Sequence, residues 1–346
     1  MGRARWVAPG LAIVIVGGTA ITLAALGFDV TRAVRALVSG SFGSWYALGS
    51  GTLVRATPLI LTGLAVALAF QAGVFNIGAE GQFLTGAAAA SAIALAPGTA
   101  HLPTWALIAG LLIGGSLAGA GWAWIAAELR ARFRVLEVIS TILLNFVAAY
   151  LVSFLVRGPL QEPTHIYPQT ESFAVAARLP RFGSSTRLHA GFAIACMACV
   201  VCWWVLRYTA AGFRARVAGA NPDAARSAGG IDVRRVTTRA FVLSGALAGL
   251  AGAVEVSGVT FALYENISPG FGYTAIAVAL LARLNALAVV LTGILFGALE
   301  AGATAMQRDA GVPSVVVSIV EASVILVMVA ADRARMNVGM RRGITR

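Results

Sequence analysis

Lysine is absent from this 346-residue chain, and all 26 of its Lys and Arg positions are arginine. That absence excludes a phosphate-binding loop of the G-x-x-x-x-G-K-[ST] type, whose Lys reaches the terminal phosphates of a nucleotide. If ATP powers any process here, the engine is another polypeptide. Charge of either sign is scarce: 12% of residues are charged, half of the ~25% usual in a soluble domain. Cysteine is scarcer still. Cys196, Cys199 and Cys202 follow C-x2-C-x2-C spacing, which matches part of an iron–sulfur pattern. A fourth Cys is missing, the stretch is apolar, and polar or ionised groups in hydrocarbon are costly. The three thiols therefore read as packing residues, and no pair is set in separate oxidisable loops. His101, His165 and His189 share no metal-ligand spacing. No catalytic residue, metal site or cofactor of the chain's own is expected.

What is present is apolar. Hydrophobic residues make up 59% of the chain and glycine contributes 39 positions, with a mean hydropathy of +0.84. These values point to lipid as the solvent and to an all-α, polytopic helical bundle. Small residues permit the close backbone contact by which membrane helices associate. Gly245, Gly249 and Gly252, and Gly293 with Gly297, form such faces. The pattern predicts about ten helices, at 8–26, 57–77, 83–96, 105–127, 135–156, 188–206, 239–257, 273–284, 286–304 and 314–331. A full crossing needs ~20 residues, so 83–96 and 273–284 are better read as half-helices or re-entrant pieces. The run Val7 to Leu26 exceeds the ~7–15 residues of a signal-peptide core and reads as an uncleaved first span. A single transmembrane domain over 1–346 is expected.

Net charge is +12, but the arginines sit in short inter-helix segments and tails. They form no single stripe with interleaved aromatics, which argues against nucleic acid. With the N-terminus in the cytoplasm and strict alternation, 18 of the 26 arginines fall on the cytoplasmic side. That bias supports an N-in, C-in topology. Two long connections remain. One, 157–187, is external in this scheme and carries Pro159, Pro163, Pro168 and Pro180. The other, 207–238, is cytoplasmic and Arg-rich. At its centre Asn221 suits a helix N-cap, Pro222 the first helical position and Asp223 the positive helix end. Gly229 and Gly230 can close the helix in a left-handed turn. The segment is an ordinary helical linker or a docking helix that transmits motion from a soluble partner.

Phe75-Asn76-Ile77-Gly78-Ala79-Glu80-Gly81-Gln82, following Pro58-Leu59-Ile60-Leu61-Thr62-Gly63-Leu64, resembles the signature of an ABC-transporter permease group. That group imports nucleosides and simple sugars and is a branch of the branched-chain amino acid and ribose permease family. Gly270 to Leu281 and Leu295-Phe296-Gly297-Ala298-Leu299 match it too. The stretch Gly219 to Ile231 resembles the family's cytoplasmic coupling segment. Two departures stand out: Gly230 is inserted after the coupling helix, and Ala282-Arg283-Leu284-Asn285-Ala286 lacks the proline expected there.

The resemblance implies a type II ABC importer permease in the plasma (inner) membrane of a prokaryote. It implies a cytoplasmic ATP-binding subunit that uses ATP and Mg, a second and different permease chain, and an extracytoplasmic solute-binding protein. Membrane lipid surrounds the assembly. The solute would be a nucleoside first, a simple sugar next. Coupling would fall to Asn221, Pro222, Asp223, Ala224, Ala225, Arg226, Gly229 and Ile231.

Candidate pathway residues are Phe75, Asn76, Glu80, Gln82 and Asn145. An intramembrane carboxylate is expensive and functional by default, although Glu80 could equally cap or brace the helix break. Asn145, in an apolar span, fits an interhelical hydrogen bond or a pathway role. Glu255, Glu300 and Glu321 fit helix-edge solvation or pairing with Arg. Such acids would also serve the alternative, a proton-coupled secondary carrier, which usually shows two similar halves; none is evident.

Overall fold

A computed structural model describes residues 17–18, 21–313, 315–316, 319 and 322. Among them every regular element is helical, and the β-bridges are isolated ones, Gln169 with Tyr264 and Arg181 with His189. Among the described residues six helices are long and apolar enough to cross a membrane. They correspond to the expected spans 57–77, 105–127, 135–156, 188–206, 239–257 and 286–304. Of the other four, 8–26 and 314–331 lie largely outside the described residues. The remaining two are the short helices discussed below. Glu321 also lies outside.

The chain divides into two compact units, 1–52 with 295–346, and 53–294. In the smaller unit, α1 (Val30–Phe42) begins at Asp29, whose carboxylate accepts the Arg32 N–H at 3.0 Å. Hydropathy alone overlooks α1 because the exposed Arg32 and Arg35 interrupt its apolar run in the sequence, although they lie off the face that carries Ala33 and Ala36. Its Gly40 sits where a Cβ would lie 2.2 Å from the Ala305 Cβ. The Ser41 hydroxyl donates to the Ala298 carbonyl at 2.6 Å. Ala33 and Ala36 pack with Ala303, Met306 and Val312 in one apolar cluster.

The larger unit is built around α2 (Val54–Gln71), buried from Val54 to Ala69 apart from Arg55. It continues as α3 (Ala79–Ala94), α4 (Thr104–Phe133), α5 (Glu137–Val156), α6 (Gly191–Tyr208), α7 (Ala210–Ala220), α8 (Pro222–Gly229), α9 (Val233–Glu255) and α10 (Phe271–Leu281). The last helix, α11 (Ala288–Ala310), starts in this unit and ends in the other. Helices α3, α4 and α9 cross at backbone contact. A Cβ on Gly249 would lie 2.3 Å from the Gly115 carbonyl, and one on Gly252 would lie 2.0 Å from the Phe83 carbonyl. Lipid tails give no hydrophobic drive between helices, so close approach of this kind supplies the van der Waals attraction instead.

At one end of this unit the long connection after α5 is pinned along the segment that follows α9. The Leu179 N–H donates to Ser257 O at 2.8 Å, Phe173 N–H to Phe261 O at 2.7 Å and Thr170 N–H to Leu263 O at 2.8 Å. Arg178 lies 4.6 Å over the Phe261 ring. His189 is fully buried there, its Nδ1 accepting the Gly191 N–H at 3.2 Å. Burial, aided by Arg181 and Arg187, pushes the His189 imidazole down to about 4.

At the other end the arginine-rich segment folds into α7, α8 and the start of α9. Asn221 caps α8 by accepting the N–H groups of Asp223 at 3.1 Å and Ala224 at 3.0 Å. Pro222 opens α8 and Gly230, at φ 54°, closes it.

Candidate functional site

The expected span 57–77 ends six residues early, at Gln71. Gly73 turns the chain at φ 76°, pressed against Gly219 so closely that its Cβ would lie 3.0 Å from the Gly219 Cα. The chain then runs without helix to Gly78. α3 has 16 residues and α10 has 11, or about 24 and 16 Å at helical rise, each short of the ~30 Å hydrocarbon layer. Their N-termini meet. A Cβ on Gly272, in the first turn of α10, would fall 2.1 Å from the Glu80 nitrogen in the first turn of α3.

Helix N-termini leave N–H groups without helical partners, and in lipid the protein itself must satisfy them. Side chains do so here. Glu80 accepts the Gly272 N–H at 2.7 Å and is also bonded by Ser268. The Ser268 hydroxyl accepts from Gly270 and Phe271, each at 3.1 Å. Asn145 reaches in from α5: its carbonyl accepts the Gly81 N–H at 2.8 Å. Its amide donates to Ile77 O at 3.0 Å and to the Tyr273 hydroxyl at 3.3 Å. A carboxylate at the positive end of a helix is favourably placed, so Glu80 braces the break.

Asn76 and Gln82 form a second network. The Asn76 amide donates to Gln82 Oε1 at 2.9 Å and to the Ser244 hydroxyl at 2.8 Å. Its carbonyl accepts from the Gly78 N–H at 2.9 Å and from Gln82 Nε2 at 3.0 Å. The Ser244 hydroxyl in turn donates to Ala65 O at 2.6 Å. Asn76 and Gln82 are thus turned into the protein, where the pairing ties the loop to α2 and α9. Phe75 is more than half exposed and meets Phe70 edge-on, with ring centroids 5.2 Å apart.

Beside the paired N-termini lies a cavity of about 350 Å³. Its floor holds Glu80 and Asn145, and its walls hold Phe146, Tyr150 and Tyr273, with Glu265 and Ser153 on the same lining. Phe75, Asn76 and Gln82 do not line it. Asn145, Ala149 and Ser153 recur at intervals of four along α5, so they share one helix face. Arg157 holds Glu265 by two bonds, at 2.7 and 2.8 Å, and Ser153 donates to the same carboxylate. These partners, Arg157 first, hold the Glu265 carboxyl down at about 2. The cavity is therefore aromatic and polar, and each of its two acids is already bonded by local partners, Glu80 by the Gly272 N–H and Glu265 by Arg157. Tyr150 is 75% exposed and Phe146 is 56% exposed, so this face of α5 remains open.

A family profile described as the permease component of a branched-chain amino acid transport system matches residues 48–330. The chain belongs to that permease family. A glucose ABC transporter permease of Haloferax volcanii is 40% identical over 93% of this chain and 86% of its own length. A guanosine ABC transporter permease of Bacillus subtilis is 37% identical, covering 96% of this chain and 95% of its own. A nucleoside ABC transporter permease of Lactococcus lactis is 32% identical over 88% and 85%. The chain is accordingly a multi-pass membrane permease subunit of an ABC importer and not an enzyme in its own right. The proton-coupled carrier is not favoured by these relatives.

Proposed function

We propose that the permease moves a nucleoside through the cavity above Glu80 and Asn145. The supporting observation is the lining itself. Phe146, Tyr150 and Tyr273 offer ring faces, while Asn145, Ser153 and Glu265 offer hydrogen-bonding groups. A volume of about 350 Å³ falls within the ~300–1,000 Å³ of small-molecule sites, and base–aromatic stacking is favourable for any nucleobase. Relatives named for guanosine and for nucleosides agree. A simple sugar is the second reading, favoured by the relative named for glucose.

In this reading the Arg-rich end, with α7 and α8, faces the cytoplasm, so that the chain is N-in and C-in. Helix α8, with Asn221, Pro222, Asp223, Ala224, Ala225, Arg226, Gly229 and Ile231, engages a separate ATP-binding subunit that handles ATP and Mg. A second permease chain closes the open face of α5, and an extracytoplasmic binding protein delivers the solute near 157–187. The assembly sits in the plasma membrane of a prokaryote.

Competition decides the solute. Cells expressing the complete importer are expected to take up radiolabelled guanosine, with unlabelled nucleosides suppressing that uptake and glucose leaving it unchanged. Saturable uptake of radiolabelled glucose with no uptake of guanosine replaces the nucleoside with the sugar. Robust guanosine uptake by the reconstituted chain alone, driven by a proton gradient without ATP, overturns the importer reading.

A further inference from the structure

A second cavity, of about 190 Å³, lies in the Arg-rich segment and plays no part in the solute path. It is formed where the end of α4 meets α8 and the start of α9. Arg130, Arg226 and Arg234 reach it from those three helices, Thr237 adds a hydroxyl, and Ala127 and Phe241 close its inner side. Among the described residues no acidic side chain lines it. Two of the arginines have acidic partners elsewhere: Arg130 lies 3.5 Å from Glu137, and Arg226 lies 2.9 Å from Asp223. The Asp223 side chain is 92% exposed, so water and salt screen that pair strongly. Arg234 has no ion pair among the described residues. Guanidinium groups from three elements therefore converge on one cavity without a carboxylate inside it, and planar guanidinium suits phosphate geometry.

We infer that this crevice binds the phosphate headgroup of an anionic phospholipid from the cytoplasmic leaflet. The inference rests on the orientation proposed above. Three features favour a lipid. The cavity is below the ~300 Å³ lower range of small-molecule clefts, which suits a headgroup better than a nucleotide. It is amphipathic, with cationic groups at its mouth and buried Ala127 and Phe241 behind. It lies at the ends of two apolar spans, Thr104–Phe133 and Val233–Thr260, the level at which headgroups sit. Basic pockets between cytoplasmic helix ends bind such headgroups. Because α8 supplies Arg226, a bound headgroup ties the membrane surface to the element proposed to engage the ATP-binding subunit.

The test is native mass spectrometry of the full-length chain in detergent, titrated with phosphatidylglycerol, phosphatidylcholine or inorganic phosphate. Phosphatidylglycerol is expected to bind in clear preference to phosphatidylcholine. Arg234→Ala is expected to weaken phosphatidylglycerol about fivefold, and Arg130→Ala with Arg234→Ala about 25-fold. Arg234→Lys is expected to retain most of the binding, and Arg181→Ala, at the opposite end, all of it. Equal binding of phosphatidylcholine, or full binding to the Arg234→Ala variant, overturns the site. Displacement by millimolar inorganic phosphate makes it a free-anion site and overturns the lipid. Loss of the preference once the ATP-binding subunit is added assigns the cavity to that subunit and also overturns it. A Ser227→Cys variant, in a chain with its three native cysteines replaced, separates this inference from the orientation. Labelling by an impermeant thiol reagent only from the outer face overturns the orientation and the leaflet. Inward labelling with lost lipid preference overturns the lipid site alone.

Discussion

The cavity above Glu80 and the crevice beside Arg234 lie at different levels of the larger unit. Helix α5 begins at Glu137, which pairs with Arg130 of the crevice. Sixteen residues on, about 24 Å at helical rise, its Ser153 lines the other cavity. The two are opposite in chemistry. In the first, each acid has a local partner: Glu80 the N-terminus of α10, Glu265 the guanidinium of Arg157. What remains for a ligand is aromatic faces and hydrogen-bonding groups, suited to an uncharged polar solute. In the crevice positive charge is in excess, suited to an anion. Polar groups inside an apolar protein thus say little about a ligand until their own partners are known.

The largest effect is expected at the helix break. Gly272→Val drives side-chain atoms into the Glu80 backbone, where even a Cβ would lie 2.1 Å from the nitrogen. Overpacking here is expected to cost about 3 kcal/mol or more, seen as lost monodisperse yield and a lower thermal midpoint. A wild-type midpoint would show that the two N-termini do not meet as described.

Tyr150→Ala comes next. Its ring is 75% exposed, so the midpoint should stay within about 0.5 kcal/mol of wild type. Guanosine uptake should fall about 5- to 100-fold if the ring stacks on the base. The coupling helix gives a different signature. Replacing Asp223 and Arg226, an exposed pair at 2.9 Å, should leave the chain in the membrane and ATP hydrolysis running while uptake per ATP falls. Normal coupling in purified complexes would remove α8 from that role.

The smallest effects are in acid. His189, buried and pushed down to about 4, stays neutral while its unfolded counterpart takes a proton near the usual ~6.5. Stability therefore falls as pH drops from about 6.5 toward 4, and His189→Asn should flatten that slope. Glu265, held at about 2 by Arg157, contributes fully above the usual ~4.3 and loses that contribution as pH falls through 4.3 toward about 2. Arg157→Met should erase this lower window without altering the upper one. Acid titrations of the thermal midpoint check both.

Much of this architecture is legible in the sequence, unevenly and for physical reasons. Helix α8 is legible because Asn221, Pro222 and Gly230 act on their own backbone. The two short helices are legible because apolar stretches of 14 and 12 residues (83–96, 273–284) cannot cross a layer needing ~20 residues. The end of α2 is misread because the apolar pattern continues to Val74, whereas Gly73 has already left the helix at φ 76°. An amide's direction is not written in its neighbours. Asn145 turns toward the helix break beside the cavity, while Asn76 and Gln82, in the most recognisable motif, turn toward each other. Ser268, Tyr273 and Glu265 are missed because they come from more than 100 residues beyond α5. The polar run Glu265, Asn266, Ser268 just before a short helix is the local signal that could have drawn attention to them.

Photolabelling shows whether a nucleoside passes the cavity on α5. The assembled importer is irradiated with a photoreactive azido-nucleoside, and the modified peptides are mapped with and without excess guanosine. Guanosine-protected labelling is expected at Phe146, Tyr150 or Tyr273. Protected labelling confined to residues outside this cavity, or none of it protected, would contradict that passage.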